Sequence, residues 1–333
     1  MRFRHTRLAL LVALIGAITA LAASATAPAA PSSGGLLFSG LQGGSGSTVG
    51  PDGALYVTEP ISGRISRVDP DSGARTTFAT GLPTQLPWVG LGGAMDVAFI
   101  GNTAYALVSV VGSDVGGSDT VGIYRMDGPN SFTPIADIGQ FAVDNPPKAD
   151  IFVATGVQYA LEPFRGGFLV TDGHHNRVYD VERDGDVSEL IAFGNNVPTG
   201  LEVSGNTVYM AEAGPLPHTA ADGKVVSFSP GSSTTTTVAA GAPLLVDVER
   251  GRGRGLFALS QGTHGPEGPG TPADPDTGSL VEANDDGSFR AVATGLDRPT
   301  SLELIGTTAY VVTLTGDIWK FDDISGPPFG KAH

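Results

Sequence analysis

The chain repeats one short phrase six times. Its clearest copies are apolar strands built round an aromatic residue. They are Ala54-Leu-Tyr-Val-Thr58, Ala104-Tyr-Ala-Leu-Val108, Gly167-Phe-Leu-Val-Thr171, Thr207-Val-Tyr-Met-Ala211, Gly255-Leu-Phe-Ala-Leu259 and Thr308-Ala-Tyr-Val-Val312. Each follows another apolar strand across a tight Gly turn, and each precedes a third strand closed by a Gly/Asp turn. A repeat of about 40–60 residues built from strands alone predicts a β-propeller, each copy folding as one blade. We therefore read an all-β, six-bladed propeller with four-stranded antiparallel blades.

Blade four shows the strand order. Strand a is Gly200-Leu-Glu-Val-Ser204, and a Gly205-Asn206 turn leads to strand b. Strand c is Lys224-Val-Val-Ser-Phe228, and a Pro230-Gly231 turn leads to strand d at 234–238. The alternation and the turn residues suit hairpins. Blade six reaches strand c at Asp317-Ile-Trp-Lys-Phe321 and then runs out of strand-forming sequence. Strand d elsewhere ends on a shared phrase, Phe78-Ala-Thr-Gly-Leu82 and Val292-Ala-Thr-Gly-Leu296. The same phrase stands near the N-terminus as Leu37-Phe-Ser-Gly-Leu41. This strand is expected to complete blade six and close the ring, covering a sheet edge.

Before that phrase, Arg2, Arg4 and Arg7 precede an apolar run, and Ala23-Ser24-Ala25 supplies small residues for cleavage. The run is shorter than the ~20 residues that span a bilayer. The reading is a signal peptide at 1–25, a short leader at 26–33 and one propeller domain at 34–330. A secreted, extracellular chain with no stable membrane anchor follows. The chain has no cysteine, so disulfides, thiolate catalysis and lipidation at the cut are excluded. The formal net charge is −15. Removing the leader takes away three arginines and no acid, which brings the mature chain to −18. Such a surface repels phosphate backbones and attracts cations, so nucleic acid is not an expected partner.

The loops are unequal. The a–b and c–d turns are short throughout, whereas the b–c loops at 112–120, 213–223 and 262–279 and the d–a crossings at 83–93 and 139–153 are long. Functional loops gather on one face of a rigid scaffold, so the b–c/d–a rim is the expected working face. His174, His175, His218 and His264 all fall just after a strand b, as do the acids Glu59, Asp172 and Glu212. Imidazole with carboxylate can hold a metal or form an acid–base pair. Their spacings match no metal motif, and they could equally cap strand ends. His174 and His175, being adjacent, are expected to point to opposite sides of a strand. Trp88, in the first long crossing, offers an aromatic platform or a plug.

A second set of candidates lines the ring's interior. Asp96, Gln158, Glu202, Asp247 and Glu303 recur on strand a, with Ser47 matching them in blade one. Carboxylates on innermost strands would face the central channel and repel one another or recruit a cation such as calcium. Alternatively they hydrogen-bond the backbone of neighbouring blades. Asp69-Pro-Asp-Ser-Gly73 and Asp274-Pro-Asp-Thr-Gly278 lack the later ligands of calcium loops and read as turns. No Gly-x-Ser-x-Gly elbow is present.

Several phrases resemble the secreted ScyD/ScyE family. They are Pro51-Asp-Gly-Ala-Leu-Tyr-Val-Thr-Glu59, Gly63-Arg-Ile-Ser-Arg-Val-Asp69, Pro198-Thr-Gly-Leu201 and Asn206-Thr-Val-Tyr-Met-Ala-Glu212. Thr171-Asp-Gly-His-His-Asn-Arg-Val178 is similar to the phrase of NHL repeats. The resemblance implies a propeller related to the NHL-repeat and regucalcin/gluconolactonase types, with no established reaction. Lactonases of that type hold a divalent metal at the channel mouth, one ligand falling in a Pro-Asp-Gly phrase. The matching positions here are Thr199 and Thr300, so a metal would have to use Glu59, Asp172 or Glu212. Two functions stand side by side. One is a monomeric protein binding a small molecule or protein on the long-loop face; the other is a metal-dependent hydrolase or lactonase at the channel mouth. A purely structural envelope role is a third reading.

Overall fold

Each recurring strand lies second in a four-stranded antiparallel sheet, and there are six such sheets. These come from a computed structural model that describes residues 34–148, 151–219, 221–253, 255–264 and 271–325. The leader readings, 1–25 and 26–33, lie outside the described residues. Blade one runs Ser47–Val49, Leu55–Glu59, Arg64–Val68, Arg75–Thr80 from the axis outward. In blade six, Pro299–Ile305, Thr308–Thr313 and Asp317–Phe321 are followed by Gly35–Ser39, which pairs antiparallel with Asp317–Phe321.

The burial of each strand follows from its place in the ring. All residues of Leu55–Glu59 and Gly167–Asp172, both strands b, are buried, because a neighbouring blade covers each face of the sheet. The outermost strands, such as Arg75–Thr80 and Val187–Ala192, bury one residue in six. The core is accordingly not central. It consists of six main clusters, one at each blade interface, and a small seventh of Ala213, Leu244 and Ala273 between blades four and five. Tyr56 and Ile65 of blade one pack on Val97, Val108 and Tyr124 of blade two. Leu55, Val57 and Val68 pack on Tyr310, Val312 and Ile318 of blade six. Each fully buried side chain of this size contributes about 1.5–3 kcal/mol. Stability therefore depends on each blade finding both neighbours.

One element departs from the strands-only reading. The crossing into blade three contains a short helix, α1 (Ile138–Asp144), whose first turn is capped by the Asp137 side chain accepting from Gln140 N. Ile138 and Ala142 are buried, and the Phe141 ring meets Tyr179 edge-on at 5.8 Å. An apolar face of two turns is too short to stand out in a sequence.

Candidate functional site

The acids that end strand b face bases at the start of strand c. Ladder register puts Glu59 opposite Arg64, Asp172 opposite Arg177 and Glu212 opposite Lys224. Glu59 is fully buried and accepts from Arg64 (2.7 Å), Arg75 (2.9 Å), Gln42 N (2.7 Å) and Ser66. Burial opposes its ionisation, but the bonds from Arg64, Ser66, Gln42 and Arg75 outweigh burial and hold the carboxyl down at about 2. Asp172 accepts from the backbone of Val157, His174 and His175, from Gln158 and, at 2.8 Å, from Tyr179 Oη. Arg177 Nε in turn donates to Tyr179 Oη at 2.9 Å. These two carboxylates are hinge pins between strands and offer no free oxygen to a metal. Glu212 differs. Its Oε2 lies 3.1 Å from Lys224 Nζ, yet it accepts no hydrogen bond of good geometry.

The four histidines fall into two kinds. His174 and His175 sit in a turn rather than a strand, so their rings do not diverge; they lie 5.5 Å apart at 37°. Both address the same piece of backbone. His174 Nε2 accepts from Phe152 N and Val153 N at 3.1 and 3.2 Å. His175 Nε2 lies 3.1 Å from Val153 O, while its Nδ1 lies 3.1 Å from Arg177 Nη2 and 3.4 Å from Asp172 Oδ2. This pair clips the crossing onto blade three.

His218 and His264 come from the b–c loops of blades four and five. Their rings stack at 5.9 Å with planes 17° apart. His218 Nδ1 and both nitrogens of His264 are buried without a hydrogen-bond partner. Burial pushes both rings below the usual histidine value, and for His218 the neighbouring His264 adds to this. Trp88 is half exposed and donates from Nε1 to Val115 O at 3.0 Å, which ties it to the blade-two loop on the rim and away from the tunnel.

The tunnel wall comes from strand a, and its side chains form two tiers two residues apart. Nearer the long-loop rim are Gly46, Asp96, Ala160, Gly200, Asp247 and Ser301. Opposite the central residue of strand b are Thr48, Ala98, Glu162, Glu202, Glu249 and Glu303. Sequence comparison merged the tiers and so missed Glu162 and Glu249. It also placed Gln158 in the tunnel, whereas that side chain is fully buried between Ser109, Thr155 and Asp172. Period-two counting back from strand b separates the tiers.

The two aspartates staple blades together. Asp96 accepts from Val97 N and from Leu161 N of the next blade, and Asp247 does the same with Val248 N and Leu302 N. On the other side each abuts a glycine. A Cβ on Gly46 would lie 2.7 Å from Asp96 Cα, and one on Gly200 would lie 2.5 Å from Asp247 Cα. Ser47 Oγ meets Ser301 Oγ at 2.8 Å across the first and last blades. Thr199 and Thr300 spend their hydroxyls on backbone carbonyls of adjacent strands. They could not replace a lactonase ligand.

One side chain bars the tunnel. Tyr159 of blade three crosses it and donates to Thr300 O of blade six at 2.9 Å. Beyond Tyr159, toward the short-turn rim, the carboxylates of both tiers surround a cavity of about 40 Å³. That space holds only a few waters. Their edges touch this space although they lie deep in the protein. Desolvation raises Asp247 and Glu202 to about 7, and pushes Asp96, Glu162, Glu249 and Glu303 well above the carboxylate range. Among the described residues, no three His, Asp or Glu side chains are grouped to hold a metal ion.

By sequence the chain matches no protein-family model and no curated protein. The ScyD/ScyE resemblance thus gains no support at the family level. By structure it is similar to a gluconolactonase from Xanthomonas campestris, with TM-score 0.58 and 12% identity over 86% of this chain and 88% of that one. Aldose sugar dehydrogenase from Streptomyces coelicolor gives TM-score 0.58 and 13% identity over 88% and 99%. Virginiamycin B lyase from Staphylococcus aureus gives 0.52 and 15% over 86% and 97%. Likenesses at such identities establish the propeller fold and leave the chemistry to the residues.

Proposed function

We propose that this chain is an exported binding protein of ScyD/ScyE type that presents its long-loop rim to a protein partner. One observation carries the reading. Of the seven large apolar side chains exposed among the described residues, Ile61, Trp88, Leu91, Val143, Phe152 and Leu216 lie on b–c or d–a loops, and only Leu36 does not. Phe152 is 72% exposed and Trp88 50%. Scattered exposed apolar residues are ordinary, but their confinement to one face marks an interaction surface. They span blades one to four. A described cavity of about 380 Å³ lies away from them, between the outer strand of blade three and the 231–233 turn. Apolar side chains spread over four blades suit a protein better than a small molecule, whose sites are concave.

A photo-crosslinking residue placed at Phe152 in producing cells should give one discrete protein adduct. The same residue at Asp286, on the short-turn rim, should give none. The adduct should disappear when Ile61 and Leu91 are changed to Ser. Equal labelling from both rims, or no discrete adduct from position 152, would refute the reading. The hydrolase alternative loses Glu59 and Asp172 as ligands and retains for support only the unpartnered nitrogens of His218 and His264 and the Glu212 carboxylate, which is ion-paired with Lys224.

A further inference from the structure

Among the described residues, His218 and His264 carry three of the six buried side-chain polar atoms that lack a hydrogen-bond partner. A buried polar group without a partner costs about 1–3 kcal/mol. Here three such nitrogens lie together, on two rings supplied by different blades. His174 and His175 use ring nitrogens to bind backbone and Arg177; His218 also meets backbone at Ala213 and Pro215, which leaves its Nδ1 as the nitrogen without a partner. The loops carrying the unpartnered pair are fixed near the rings. Thr219 N donates to Asp222 Oδ2 at 3.0 Å, Ala273 N donates to Gln261 Oε1 at 3.1 Å, and Asp274 N donates to Thr263 O at 2.9 Å.

Neutral imidazoles with free lone pairs are ligands for borderline transition-metal dications, and poor ones for calcium, which takes oxygen. Burial lowers both rings, so they are neutral and able to coordinate at neutral pH. Asp222 and Asp274 each add negative potential at one ring. The chain's net charge of −15 raises the local cation concentration.

We infer that His218 and His264 jointly bind one borderline transition-metal dication of the zinc, copper or nickel type, bridging the b–c loops of blades four and five. With only two protein donors, the remaining positions are filled by water or by a donor from whatever docks on the rim. The site replaces the calcium expected from the sequence, and it holds or fails independently of the protein partner proposed above.

The test uses the untagged mature chain. Titration with Zn²⁺ followed by calorimetry should show one saturable site per chain, and Ca²⁺ should give no heat at this site. The Cu²⁺-loaded protein should show hyperfine coupling to two imidazole nitrogens by electron paramagnetic resonance. H218Q and H264Q should each weaken Zn²⁺ binding by at least the ~10–100-fold that loss of an outer hydrogen-bond partner costs a metal site. H333Q, in the tail, should leave binding unchanged. If H218Q does not fold, H264Q must still reduce the copper coupling from two nitrogens to one. Zn²⁺ binding that survives in H264Q at full strength would overturn the inference, as would no saturable binding to the wild-type chain or a copper signal with fewer than two nitrogens.

Discussion

Glu59 shows how a residue can be conspicuous in sequence and yet do purely structural work. Its place after strand b recurs as Asp172 and Glu212, and that recurrence was readable. The bases that absorb it were less so: Arg64 and Arg177 each follow their acid by five residues, but the longer b–c loop of blade four puts Lys224 twelve residues after Glu212. Only ladder register pairs them. Removing one partner of a buried ion pair costs about 3–5 kcal/mol, because the other charges are left uncompensated. Glu59→Gln should lose stability in that range, since Arg64 and Arg75 would both lose their carboxylate. Urea unfolding measures it, and a loss below about 1 kcal/mol, the ceiling for an exposed pair, would show that Glu59 is not the pin described.

At the scale of elements, the strand Gly35–Ser39 is the informative one. The repeated phrase at strand d made it legible, whereas α1 was hidden by its shortness. The strand does more than pair with Asp317–Phe321. Ser39 Oγ donates to Asp317 Oδ1 at 2.6 Å, and Leu41 is buried in the cluster joining blades six and one. Arg75 of blade one lies 6.0 Å over the Phe38 ring. These contacts reach across the junction where first and last blades meet; the chain passes there from this strand into blade one, and only non-covalent contacts hold the rest of blade six to it. Deleting residues 34–41 should therefore lower Tm for the whole ring in a single transition, since truncating a buried Leu alone costs about 2–5 kcal/mol. Scanning calorimetry showing an unaltered Tm would mean that the junction holds without this strand.

At the scale of the whole molecule, the tunnel sets how the propeller responds to pH. Blades two to six bring Asp96, Glu162, Glu202, Asp247, Glu249 and Glu303 toward one narrow space, which all but Glu202 line. A repeat read in one dimension reveals that acids recur on strand a, but their meeting in one chamber, beneath the bar of Tyr159, exists only once the ring is closed. A carboxyl raised in the folded state binds its proton more tightly there than in the unfolded chain. Its contribution to stability is complete below the unfolded value and is lost as pH rises toward the folded one. For Glu202 that window runs from 4.5 to about 7, and for Asp247 from 3.8 to about 7. Glu249 and Glu303 are raised further in the same direction. Glu59 works oppositely, its contribution being present above 4.5 and lost as pH falls toward about 2. Tm should thus peak at about pH 4–5 and fall on both sides. Replacing Glu249 and Glu303 together by Gln keeps their shape and removes the charge that ionisation would create. The double variant should match the wild-type Tm near the peak and exceed it at pH 8. A wild-type Tm that rises from the peak toward pH 8, or a double variant that melts lower at pH 8, would show that the chamber's carboxylates are stabilised as anions, by water or a cation.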